Sequence, residues 1–315
     1  METVEIVKAL KTKLKALKTG DCCSMGAIDF VPLYWDGENK TPDYCLLSDA
    51  IETGVADVQE VSDHGTVPEL KVSSRSGKPI LAPEGEIVVG GKQNRVINAT
   101  ILIPANVEFS LPVSCVEQGR WRSIGSRFVA RYFSTPEIRK HKTMSVKQGR
   151  GHDQERRSDQ GLVWRKVEEE LISRNTYSST GSLTDALDHD IRQRSELNES
   201  GELSLPENAC GFLAYVDGVW IGMDLFARPD TLRSLWPRIR DSYCSALVNA
   251  QRQRTEVRKP INPTSEIKRI KKAITIAKGE TIGLGYEIDS LENTGIIAEG
   301  VWHEDSVIHM SAFAE

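Results

Sequence analysis

Two short segments of this chain concentrate side chains that could do chemistry. In PEGEIVVGGKQNR (residues 83–95), four consecutive polar residues, Lys92, Gln93, Asn94 and Arg95, lie between two apolar runs. At a strand end they would project several donors into a cleft. Lys92 and Arg95 suit anionic oxygens, and Gln93 and Asn94 suit sugar or base groups. Glu84 and Glu86 stand close by as acceptors or general bases. The competing reading is a solvated hairpin end. In SCVEQGRW (residues 114–121), Cys115, Glu117, Arg120 and Trp121 fall within seven residues. Arg120 would add a phosphate contact, and Trp121 offers a stacking face for a purine. Glu117 could pair with Arg120 as a buried structural ion pair, or act as an acid/base group tuned by a cleft. Cys115 has no histidine nearby in sequence to activate it as a nucleophile.

If the two segments meet at one hollow, the expected ligand is a small phosphorylated nucleotide. The family resemblance set out below implies that the reaction there, if any, is N-glycosidic hydrolysis of an ADP-ribose or related ligand. Its oxocarbenium-like transition state is stabilised by a carboxylate that also orients water, and Glu86 and Glu117 are the candidates. A non-catalytic binder that senses or sequesters a nucleotide is the alternative.

Other motifs are weaker. Gly90-Gly91-Lys92 lacks the GxxxxGK[ST] pattern, and Gly283-Leu284-Gly285 lacks the third glycine of GxGxxG. Both read as turns or bulges. Six cysteines form no CxxC pair, and six histidines form no HxH, HxxxH or HExxH, so no metal site is expected and no cofactor is assigned. Ser178–Ser182 reads as a helix N-cap region, and Asp224 as either a buried network member or a site acid.

The elements that would carry these groups follow from composition and period. The chain has 315 residues, 40 Lys+Arg against 45 Asp+Glu, and 39% hydrophobic content. That is enough apolar material for a packed core, and the net charge of −5 is not that of a dedicated nucleic-acid binder. No run of about 18 apolar residues exists, so no membrane span is expected, and the lysine-rich N-terminus lacks a signal-peptide core. A cytoplasmic protein with reduced thiols is the resulting expectation.

Residues 1–20 read as an amphipathic helix, with Ile6, Leu10, Leu14 and Leu17 on one face. Residues 21–120 read as β-rich, with strands at 26–35, 55–61, 96–103 and 107–116. Residues 140–159 read as a basic mobile loop, 160–174 and 183–197 as helices, and 251–272 as a basic linker bearing Pro260 and Pro263. Asp217-Gly218 between two alternating runs predicts a type I′ hairpin over 211–226. Asp230 then reads as the N-cap of a helix that should kink or restart at Pro237. Residues 273–315 return to strand. The fold class is α+β: a mostly antiparallel sheet built from the N-terminal half and the C-terminal tail, with the middle helices packed on it as one domain over 21–315. Residues 119–160 hold eleven Lys/Arg against four Asp/Glu, which suggests RNA contact, but aromatics are only 6% of the chain and base stacking needs platforms.

Taken together, GEIVVGGKQNRVINATILIPA and VSCVEQGRW resemble the signature of the ADP-ribosylglycohydrolase and rhodanese-phosphatase-associated protein domain family. Further matches are Gln160 with Trp164, Ser179-Thr180, the hairpin GFLAYVDGVWIGMDLF, DSYCSALVNA, and the tail from IGLGYEI to HMSAF; the resemblance covers about residues 24–313. The motif matches fall at Gln93, Asn94, Arg95, Cys115, Glu117, Arg120 and Trp121. What the resemblance implies is a place in NAD-derived or ADP-ribose metabolism, with no catalytic residue to carry over. The long N-terminal helix and the basic loop 140–159 depart from the family pattern, and self-association stays open.

Overall fold

The computed structural model describes residues 3–36, 41–62, 65–125, 127–149, 156–196, 203–247, 259–278 and 281–315. The expected linker over 251–258 and the loop over 150–155 lie outside the described residues. Contacts group the chain into two compact units, residues 1–42 with 200–315, and residues 43–199. In sequence, the second unit is inserted between the two halves of the first.

The first unit opens with helix α1 (Thr3–Lys15), whose Ile6, Leu10 and Leu14 are buried. Glu5 in its first turn and Lys13 and Lys15 in its last suit the helix dipole. Strands β1 (Leu17–Thr19) and β2 (Cys23–Met25) then pair with successive stretches of β3 (Ile28–Trp35).

The second unit begins with β4 (Cys45–Leu46), α2 (Leu47–Glu52), β5 (Ala56–Glu60), β6 (Glu69–Ser74) and β7 (Ile80–Ala82). It continues with β8 (Glu86–Val89), β9 (Arg95–Ile97), β10 (Ile101–Ile103), β11 (Glu108–Cys115) and β12 (Val129–Phe133). The strand expected over 96–103 is two strands in different sheets: β9 joins the six-stranded sheet β12-β8-β9-β11-β6-β5, and β10 the three-stranded sheet β10-β7-β4. The stretch 107–116, expected to divide at Pro112 into two strands, is the single strand β11. Pro112, which has no N–H for a ladder, stands where β11 leaves β6 and takes up β9. The Phe128 N–H reaches the Val58 carbonyl at 3.4 Å, so the two edges of the six-stranded sheet approach and it curls toward a barrel.

Three helices complete this unit: α3 (Pro136–Gly149), α4 (Gln160–Ser173) and α5 (Leu183–Glu196). The last two match their sequence reading to within a residue. Helix α3 corrects the mobile loop read over 140–159. Its inward face carries Arg139 and Lys142 beside Ile138 and Val146, so hydrophobic periodicity is concealed by buried charge. Leu171, Leu183 and Leu187 from these helices pack on Ile87, Val96 and Val116. Side chains alternate along strands, so Val88, Arg95 and Cys115, paired across β8, β9 and β11, share the opposite face.

The chain returns to the first unit with β13 (Gly211–Val216) and β14 (Val219–Phe226), then α6 (Pro229–Cys244) and α7 (Pro263–Ala273). Strands β15 (Ile274–Ile276), β16 (Tyr286–Ser290), β17 (Ile296–His303) and β18 (Ser306–Ala314) complete an antiparallel sheet of order β1-β3-β13-β14-β18-β17-β16-β15. The C-terminal tail thus shares a sheet with residues 17–35 and the central hairpin, not with the strands of 45–133. Helices α1 and α7 supply Leu10 and Ile270 to one core. Trp236 and Tyr243 of α6 meet Phe30 and Phe212 edge to face at 5.1 Å each. Helix α6 continues through Pro237, so there is no restart there; buried Leu235, Trp236 and Ile239 flank the proline. Helix α7 replaces part of the expected linker. Pro263 is a helix N1 residue there, and the Asn262 side chain accepts the Ser265 N–H.

The predicted hairpin is present, with Asp217 at φ 49° and Gly218 at φ 76°. A Cβ on Gly218 would fall 1.9 Å from the Lys259 carbonyl oxygen. Gly218→Ala should therefore cost at least the left-handed penalty of about 1–2 kcal/mol. Thermal unfolding followed by circular dichroism checks it; an unchanged midpoint would show that the turn relaxes freely.

Candidate functional site

The two polar segments meet in the second unit. Arg95 of β9 lies directly across from Cys115 of β11, and the turn after β8 brings Gly90–Asn94 onto the segment after β11. Gln93 Nε2 donates to the Glu117 carbonyl at 2.8 Å, and the Asn94 N–H to Glu117 Oε2 at 3.0 Å. Gly90 and Gly91, at φ 143° and 47°, form this turn; a Cβ on Gly91 would sit 2.3 Å from the Phe128 ring.

Glu117 and Arg120 form a buried pair. Arg120 gives its Nε–H to Glu117 Oε1 at 2.8 Å and its Nη2–H to Oε2 at 2.6 Å, a two-toothed grip. The same guanidinium also donates to the Gly90, Gly91 and Arg122 carbonyls and to Asn94 Oδ1. Thr180 adds a hydroxyl to Glu117 Oε1 at 2.9 Å. Burial pushes the Glu117 carboxyl up, but the Arg120 hydrogen bonds and charge, the Asn94 N–H and the Thr180 hydroxyl together hold it below the ordinary carboxylate range. Both carboxylate oxygens are thereby engaged by protein donors.

Glu86 lies elsewhere. It is fully buried opposite Phe133, three residues back along β8 from Val89, a span of about 10 Å. The two carboxylates proposed as catalytic are therefore not gathered at one point. Glu84 is held at 2.9 Å by Arg139 and at 2.8 Å by Lys142, all three fully buried.

Trp121 is half-exposed, and two cations approach its ring: Lys92 Nζ is 5.4 Å from the ring centre and Arg95 Cζ 5.9 Å. Arg95 itself is 0% exposed. Its Nη1 donates to Gln93 Oε1 at 2.7 Å. Its Nε and Nη2 have no hydrogen-bond acceptor among the described residues. Burial pulls its pKa down, against the raising influence of the Cys115 thiol and the Glu60 carboxylate. The Cys115 sulfur makes its own hydrogen bonds with the Glu117 backbone, at 3.3 Å in each direction. Burial pushes that thiol up, which makes it a poor nucleophile at neutral pH.

No group of three or more His, Cys, Asp or Glu able to hold a metal occurs among the described residues, and none of their helices is long and apolar enough to cross a membrane.

A sequence model of the ARG and Rhodanese-Phosphatase-superfamily-associated Protein domain (ARPP-1) matches residues 16–313. The chain belongs to the ARPP-1 domain family. No curated protein and no solved structure matches it. The ARPP-1 match spans both compact units, so each unit is part of the family's domain.

Within this ARPP-1 domain, Gln160 and Trp164 of α4 belong to the site as well. Gln160 clasps the Cys115 backbone, accepting its N–H and donating to its carbonyl at 2.8 Å each. The indole N–H of Trp164 approaches the Cys115 thiol. Glu60 is the residue the sequence reading did not single out: its Oε1 accepts the Lys92 N–H at 2.9 Å. Its place at the end of an alternating acidic strand is an ordinary surface signal, and only the curl of the sheet brings it to Lys92. A separate cleft of about 620 Å³ in this unit is lined by Asp43, Cys45, Asp49, Thr53, Arg75 and Lys78, none of them a sequence-predicted site residue.

Proposed function

We propose that the second unit binds an NAD-derived nucleotide, with ADP-ribose the first to test, and binds it without chemical change. The observation that supports this reading most is the half-exposed Trp121 ring with Lys92 and Arg95 close to it. An aromatic face flanked by cations suits a stacked base carrying phosphates. Lys92 and Arg95 serve the phosphates, Trp121 stacks, and Gln93 with Asn94 shapes the turn that holds them. Arg120, proposed from sequence as a phosphate contact, spends its donors on protein groups and acts here as the turn's anchor. Glu117 is its counter-charge. Binding is favoured over N-glycosidic hydrolysis because Glu117 has its oxygens committed and Glu86 sits apart.

ADP-ribose should raise the melting temperature of the full chain, as any ligand specific to the native state does. Trp121→Ala, on an exposed loop, should fold normally and lose at least about tenfold in affinity, in line with the roughly 1–3 kcal/mol of one base–aromatic stack. Mass spectrometry after incubation should return the nucleotide intact. Equal affinity of wild type and variant would remove Trp121 from the site; a cleaved product would restore the hydrolase reading.

A further inference from the structure

Arg95 offers more than a positive charge. A guanidinium has one edge, Nε with Nη2, whose two N–H groups run parallel and match two oxygens of a single phosphate or carboxylate. In Arg95 those two nitrogens are the ones left without an acceptor, while Nη1 is tied to Gln93. The tie fixes the plane of the group and leaves the paired edge buried without an acceptor among the described residues. Nearby, the buried Trp164 Nε1 also lacks a hydrogen-bond acceptor among the described residues. The Cys115 sulfur stands beside both and offers each only a weak acceptor, while it also exchanges hydrogen bonds with the Glu117 backbone. Glu60 contributes attraction, but among the described residues its Oε1 takes the Lys92 N–H and its buried Oε2 has no hydrogen-bond partner. Native proteins rarely leave donors of this strength buried and unmet, because each has lost its water.

We infer that the Nε–Nη2 edge of Arg95 is a seat for one terminal two-oxygen anion, and that the nucleotide bound at this site ends in a phosphomonoester. This deepens the nucleotide reading and rests on it. The side chain is 0% exposed beneath Trp121. A bridging diphosphate is substituted at both ends and needs an open groove to lie along. A terminal phosphate needs only one way in, and it presents two unsubstituted oxygens to the guanidinium edge with a third for the Trp164 N–H.

Calorimetric titration of the full chain with AMP, adenosine, ADP-ribose and ribose 5-phosphate tests this. AMP should bind at least about tenfold tighter than adenosine and tighter than ADP-ribose, whose two phosphates are both bridging. Arg95→Lys keeps the charge but has no paired edge, and it should abolish the preference for AMP over adenosine while adenosine still binds. If that variant fails to fold, the wild-type comparison decides alone. ADP-ribose binding more tightly than AMP would overturn the terminal seat and leave the nucleotide reading standing. Ribose 5-phosphate binding as well as AMP, with adenosine silent, would keep the seat and remove the nucleotide. No binding by any of the four overturns both.

Discussion

Arg120→Met should destabilise the protein by about 3–5 kcal/mol, the usual consequence of removing one partner from a buried ion pair. The reason lies less in the attraction lost than in the charge left behind. Glu117 is only 5% exposed, and without Arg120 it keeps just the Asn94 N–H and the Thr180 hydroxyl. The Gly90 and Gly91 carbonyls lose their donors at the same time, so the turn that presents Lys92 and Arg95 loosens too. Glu117→Gln is the informative companion. The Glu117 carboxyl is held below its ordinary value near 4.5, so its contribution is complete above that value and is lost as pH falls through the lower folded value. Wild type should therefore lose stability on acidification below about pH 4.5, and Glu117→Gln should lose less over the same range. Urea unfolding from pH 7 down to pH 3 measures both. A cost below about 1 kcal/mol for Arg120→Met would mean that Glu117 finds water or another donor and that the pair is ornamental.

The same pair shows why the site was partly legible in sequence. Glu117 and Arg120 are three residues apart, so a local ion pair was one of two readings open from spacing alone. Nothing local revealed that Asn94, Gly90 and Gly91 would consume the rest of the guanidinium, because those contacts come from a turn more than twenty residues earlier. The hairpin at Asp217-Gly218 and the helices α4 and α5 were readable because their signals are short-range: two residues able to take positive φ, and apolar residues at helical spacing. Helix α3 was not. Its buried face includes Arg139 and Lys142, and periodicity counts those as solvated. The β9–β10 break was concealed for the opposite reason. VINATILI is apolar almost throughout, and period alone cannot show that Asn98–Thr100 turns the chain from one sheet into another. Partition into two units was beyond sequence altogether, since β3 finds its partner β13 nearly two hundred residues later.

Glu84→Gln should be the most damaging single substitution in the second unit, and more damaging than Lys142→Met at the same cluster. Glu84 lies between two cations, Arg139 at 2.9 Å and Lys142 at 2.8 Å, with all three side chains at 0% exposure. Lys142→Met removes one cation and leaves a Glu84–Arg139 pair that is neutral in sum. Glu84→Gln removes the carboxylate that touches both cations, so both lose a counter-charge at once, where Lys142→Met breaks one contact. The expected costs are about 4 kcal/mol or more for Glu84→Gln and roughly half that for Lys142→Met, whose methionine fills the space of the lysine stem. Helix α3 would respond first, because Arg139 packs against Gly85 so tightly that a Cβ there would fall 2.5 Å from the Arg139 Nε. Amide hydrogen exchange across residues 136–149 should report that loosening before global unfolding does. Were the two substitutions to cost the same, or their order to reverse, the cluster would be drawing its neutrality from groups other than Glu84, and helix α3 would owe its position to packing instead of charge.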